Sequence, residues 1–178
     1  MAGTGTGTAV GAISLDSTLA GASSNSYVSV ADSATVLAKN SHITDIWSAL
    51  GLAAREAALM YATEQLDQYI EWAGVIYTST QALRHPRTGL YDAEGVVIPT
   101  TSIPLWLRTA TAFFGYSLSQ KDRTVERNSM GFKSVNVGDI YLTPDKYDRY
   151  QTIPQHILDM IAPYGWMKLK NRVQLVRY

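Results

Sequence analysis

Between two strongly helical segments lies a stretch with no hydrophobic period of its own, and it limits the folds open to this chain more than any other part. Residues 75–103 carry His85-Pro86-Arg87-Thr88-Gly89, then Tyr91-Asp92-Ala93-Glu94-Gly95, then Ile98-Pro99. Pro and Gly at this density interrupt helices and favour tight turns. Asp92 to Gly95 reads as one such turn between short extended pieces. A connection of this length inside a compact domain usually carries function.

The segments on either side have clear periods. Leu59, Ala62, Leu66, Tyr69 and Ile70 repeat at three and four residues, which predicts a helix over 52–72 stopped by Gly74. Glu64, Asp67 and Glu71 fall together on another face of that helix. Pro104 opens a second long helix reaching to about Lys121, whose sole charge before that lysine is Arg108. Such an apolar helix is expected to be wrapped by other elements. Upstream, Ser29 or Asp32 caps a short helix over 28–39, and Ile43, Ile46, Trp47 and Leu50 mark another over 41–50. Downstream the period falls to two: Phe132, Val135, Val137, Ile140 and Leu142 around Gly138-Asp139 predict a β-hairpin over about 131–143. Ile153-Pro154 begins a last short helix ending near Ala162-Pro163.

The expected fold is therefore mainly α, a small helical bundle over 27–163 with a C-terminal β-hairpin and extended arms at both ends. Residues 1–26 are almost entirely Gly, Ala, Ser and Thr. They bury too little to offset their ordering entropy, so they are expected to be an arm ordered by a neighbouring subunit or another protein. Residues 164–178 are expected as an extended basic arm.

Composition removes several classes of chemistry. The chain of 178 residues has no cysteine, which excludes thiol nucleophiles, disulfides and Cys-ligated zinc. His42, His85 and His156 are isolated, without metal-site spacing. The Glu64, Asp67 and Glu71 stripe is better suited to a neighbour's basic groups than to a cation. Gly3, Gly5, Gly7 and Gly11 lack the preceding strand that a phosphate-binding loop needs. No catalytic, cofactor or metal residue is assigned, and a non-enzymatic role is expected. The apolar run over 105–118 is short of a bilayer span. No Lys or Arg precedes Lys39, so no signal-peptide n-region and no membrane association are expected.

Charge is balanced overall, with 15 basic and 15 acidic residues, and only 17% of the chain is charged. Residues 1–107 hold four basic and nine acidic groups, net −5, whereas 108–178 hold eleven and six, net +5. Opposite poles suit head-to-tail self-association. Trp166, Lys168, Lys170, Arg172, Arg177 and Tyr178 interleave aromatic and basic groups in the last stretch. That mixture binds single-stranded nucleic acid through stacking and phosphate contacts, or lies as a basic arm in an acidic groove of another protein. Overall neutrality favours the second.

Five ordered pieces of sequence carry a resemblance. Asn25-Ser26-Tyr27-Val28-Ser29 comes first, then Glu56-Ala57-Ala58-Leu59 with Ala62-Thr63 and Leu66-Asp67. Pro86-Arg87, Gly89, Gly95, Pro99 and Pro104 form a motif loop, followed by Lys133-Ser134-Val135 with Val137-Gly138, and by Ile153-Pro154 through Val176-Arg177. Over about 21–178 the chain resembles tailed-bacteriophage head–tail connector proteins, also called adaptor or head-completion proteins. Relatives of these are often labelled DnaT-like single-stranded-DNA-binding proteins. Arg84-His85 departs from the small or apolar residue and aromatic expected there, and residues 1–20 exceed the usual start.

The resemblance implies a structural virion protein at the portal vertex, assembled in the host cytoplasm. It implies a homo-oligomeric ring of about twelve copies, with the portal protein above, a tail or nozzle protein below, and packaged double-stranded DNA passing through. On that reading Trp166, Lys168, Lys170, Arg172, Arg177 and Tyr178 form the portal-binding arm, and Glu64, Asp67 and Glu71 meet a neighbouring subunit. The alternative is a single-stranded-DNA-binding replication accessory protein.

Overall fold

The computed structural model describes residues 14–122, 135–137, 140–142 and 151–168. In chain order the elements are α1 (Val30–Leu37), α2 (Ser41–Ala49), α3 (Leu52–Tyr69), β1 (Ile70–Trp72), β2 (Val75–Ile76), β3 (Arg87–Thr88), α4 (Leu105–Gln120), β4 (Val135–Val137), β5 (Ile140–Leu142), α5 (Gln155–Ile161) and β6 (Gly165–Met167). The fold is mainly helical, and among the described residues three two-stranded antiparallel pairings occur, β1 with β6, β2 with β3, and β4 with β5.

Local signals fix most helix starts. The Ser29 hydroxyl accepts from the Asp32 amide at 3.0 Å and caps α1, while the Asn40 side chain accepts from the His42 amide and caps α2. Pro104 and Pro154 precede α4 and α5, where a missing N–H costs nothing. The register sets Val135, Asn136 and Val137 opposite Leu142, Tyr141 and Ile140, the antiparallel pair that the alternation predicts, and the rest of the stretch over 131–143 lies outside the described residues.

Two apolar clusters are built on the α3–α4 pair. Ala62, Leu66, Leu107, Ala110 and Phe114 meet Ile153, Ile157 and Ile161 of the α5 region on one side. Ala58, Leu59 and Ala112 meet Val28, Val36, Leu37 and Trp47 on the other. Both helices are thus buried on two sides, which explains the nearly uncharged sequence of α4. Small residues let the two axes approach: a Cβ on Gly115 would lie 3.0 Å from the Leu59 side chain. The buried hydroxyls of Thr63 and Thr111 donate to the carbonyls of Leu59 and Leu107, one turn earlier, so they cost the core no unpaired group.

Two expectations need correction. The helix predicted over 52–72 ends at Tyr69, and Ile70–Trp72 turns into a strand. The reason is non-local: Ile70, Glu71 and Trp72 pair with Met167, Trp166 and Gly165, contributed from the far end of the chain. The connection over 75–103 does hold the expected turn, closed by the Gly95 amide on the Asp92 carbonyl between residues bridged at Tyr91 and Val97, and β2 with β3 adds a second pairing. Finally, residues 14–26 are held by their own chain. The Asp16 backbone and carboxylate gather the amides of Thr18, Asn25 and Ser26 and the Ser23 hydroxyl, and the Gly21 carbonyl accepts from Ala82. Residues 1–13 lie outside the described residues.

Candidate functional site

The polar residues singled out in the sequence converge on the junction where α3 passes into β1. Asp67 is the centre of it. Its carboxylate accepts from the Tyr27 hydroxyl, from the Trp72 indole N–H at 3.0 Å and from the Arg84 amide at 3.1 Å. One side chain therefore ties the segment before α1, β1 and the motif loop together. Burial pushes the Asp67 carboxyl above its ordinary range, and the bonds from Tyr27, Arg84 and Trp72 pull it back in part. Burial and the adjacent carboxylate push the Tyr27 phenol well up.

This geometry breaks up the expected acidic stripe. Glu64 is exposed on α3, Asp67 is turned inward as an acceptor, and Glu71 lies on β1 rather than on the helix. The single-face pattern assumed a helix running through residue 72. Because the backbone turns extended at Ile70, Glu71 instead accepts the Trp166 indole N–H across the strand pair at 3.0 Å.

The motif loop is organised by Arg87 and Gln81. The Arg87 guanidinium donates to the carbonyls of Ala73 at 2.6 Å, Gly74 at 2.7 Å and Arg84 at 3.3 Å, pinning the turn after β1. Gln81 accepts from the Thr78 amide and donates to the carbonyls of Leu83 and Pro86. Gly74 and Gly95 take positive φ, 73° and 79°, which only glycine adopts cheaply. Asp92 closes the second turn by accepting from the amides of Glu94 and Val96. Pro86 is buried, Gly89 and Pro99 are exposed, and Pro104 caps α4. These motif residues shape the loop, and the sequence did not reveal their partners.

His85, isolated among the histidines and standing where an aromatic is expected, is the residue whose surroundings the sequence does not reveal. It is 1% exposed, and neither ring nitrogen has a hydrogen-bond partner. Tyr27, Trp72 and Trp106 surround it edge-on, with ring centroids 5.9, 4.8 and 5.6 Å away. Burial, reinforced by the Arg87 charge, pushes its pKa down to about 3. Its neutral ring fills an aromatic slot, which is the environment of the aromatic residue expected there. Among the described residues no group of three His, Asp or Glu could hold a metal ion, and no helix is long and apolar enough to cross a membrane.

Of the expected arm, Trp166 and Lys168 are built into the fold. The Lys168 ammonium donates to the carbonyls of Asp67 and Gln68, both at 2.8 Å, and its amide donates to Tyr69. A cation on the last free carbonyls of a helix is favourable for hydrogen bonding and for the helix dipole. Lys168 is thus committed to the end of α3. Trp166 keeps 49% of its surface exposed beside it, and Tyr77 and Tyr91 are further exposed aromatics in the motif region. Lys170, Arg172, Arg177 and Tyr178 lie outside the described residues.

No curated protein and no solved structure matched the chain. A family model matches residues 12–177, and its description reads "Putative DnaT-like ssDNA binding protein". The description names single-stranded DNA and not a virion joint, which overturns the head–tail connector resemblance and the structural adaptor function drawn from it. Since the match spans nearly the whole sequence, the chain belongs to this DnaT-like single-stranded-DNA-binding family.

Proposed function

We propose that the protein is a non-catalytic single-stranded-DNA-binding protein acting as a replication accessory. The family match over residues 12–177 carries this reading. The C-terminal face supports it chemically. Trp166 is held by Glu71 through its ring nitrogen and remains half exposed, so it can offer a stacking surface at little ordering cost. Lys170, Arg172 and Arg177 follow it in sequence and supply the kind of cation that a phosphate backbone attracts. The net charge of zero argues for a local site rather than a basic surface.

Fluorescence anisotropy of labelled oligo-dT against the full chain tests it. With those three cations contacting phosphates, log affinity should fall against log salt with a slope of about −2. Trp166→Ala should weaken binding by about 5- to 100-fold with a nearly unchanged slope. An absence of binding at low salt, or equal affinity for a duplex of the same length, would refute the proposal.

A further inference from the structure

Alongside α3 runs an open groove of about 540 Å³, whose lining includes Ala57, Met60, Tyr61, Glu64, Asp67 and Leu83. Its floor is apolar, and its accessible charge is the exposed carboxylate of Glu64, since Asp67 is turned toward Tyr27, Trp72 and Arg84. Among the described residues Glu64 has no ion-pair partner. The last described residue, Lys168, is bonded to the carbonyls of Asp67 and Gln68, at the same end of α3 as the Asp67 wall of the groove.

We propose that this groove is occupied by residues 169–178 of the same chain, which shields their cations until single-stranded DNA competes for them. The inference rests on the DNA-binding reading only for that last clause. Three observations favour this occupant. Charge is complementary: residues 169–178 carry Lys170, Arg172 and Arg177 and no acid, against Glu64 in a half of the chain with net charge −5. Chemistry matches the floor, since in an extended segment Leu169, Val173 and Leu175 fall on one side. Reach suffices: from Asp67 back to Ala57 is about 15 Å along a helix, and ten extended residues span about 33 Å. Tethering at Lys168 makes the docking intramolecular, so weak contacts are enough.

The absence of cysteine permits a clean test in the full chain. Ala57→Cys with Leu175→Cys places one thiol in the groove and one in the tail. Ser48→Cys with Leu175→Cys is the control, on the exposed side of α2. With a short bismaleimide, the groove pair should form an intramolecular link about tenfold faster than the control. Glu64→Lys, at an exposed position, should bring that rate down to the control, with its circular dichroism unchanged. Equal rates for the two pairs, or links formed only between chains, would overturn the proposal. Added oligo-dT should slow the groove link, and Glu64→Lys should raise oligo-dT affinity severalfold. Oligo-dT that binds without altering the link would overturn the competition. Oligo-dT that does not bind at all would refute the functional reading, and the two link rates would still decide the docking.

Discussion

Burying an unpartnered imidazole makes the stability of this protein depend on acid in a way one substitution can isolate. His85 stays neutral in the fold because burial, and then the Arg87 charge, push its pKa down to about 3 from 6.5. Between those values the unfolded chain binds a proton that the folded chain does not. Stability from this group is therefore full above about pH 7 and is lost as pH falls from 6.5 towards 3. At pH 4.5 the loss is about 3 kcal/mol, two pH units at about 1.4 kcal/mol each. His85→Phe keeps an aromatic ring between Tyr27, Trp72 and Trp106 and removes two nitrogens that bond nothing. Urea unfolding followed by tryptophan fluorescence at pH 7.5 and 4.5 should show the variant losing about 3 kcal/mol less than the parent. Comparing each protein with itself removes the packing cost of the larger ring and the titration of all other groups. Equal acid losses in the two proteins would refute the reasoning.

Asp67→Ala strands the buried Tyr27 hydroxyl and Trp72 indole N–H, and should cost about 3–4 kcal/mol in urea unfolding. Asp67→Asn keeps one acceptor oxygen and should cost about 1 kcal/mol. Arg87→Lys should cost about 2 kcal/mol, because one ammonium cannot replace a fork reaching the Ala73, Gly74 and Arg84 carbonyls. Gly74→Ala combines φ 73° with a Cβ driven into the Thr88 carbonyl oxygen, and should cost at least about 2 kcal/mol. Gly89→Ala, at φ 75° but facing open space, should cost only about 1 kcal/mol by the same measurement.

What the sequence made readable was local chemistry. The Ser29 cap, Pro104 at the head of α4 and the Val137–Ile140 hairpin register each depend on residues close in the chain, so their signals survive without tertiary context. The same period that located α3 misplaced its end. Ile70 and Trp72 satisfy a helical spacing as well as a strand's, and only Gly165 and Met167, far along the chain, decide between them. Asp67 read as a surface carboxylate because its donors come from positions 27, 72 and 84, which no window unites. Trp166 and Lys168 were singled out by composition. Their positions, one on Glu71 and one on the end of α3, follow from the β1–β6 pairing and were not readable. The unusual His85 was noticed as a departure from an aromatic, and its slot between three aromatic rings gives that departure a physical meaning.

The β1–β6 pairing also sets a schedule for the newborn chain. Glu71 and its cross-strand partner Trp166 are 95 residues apart. At the pace of translation, β1 waits about 5–20 s for its partner. Through that interval the last carbonyls of α3 lack Lys168, and the edge of Ile70–Trp72 has no strand beside it. Helices α1 to α4 can gather early, but the latch between the two ends of the core closes only once residue 168 has been made. A message cut short before that codon yields a chain with an open edge and an uncapped helix, a ready substrate for proteases.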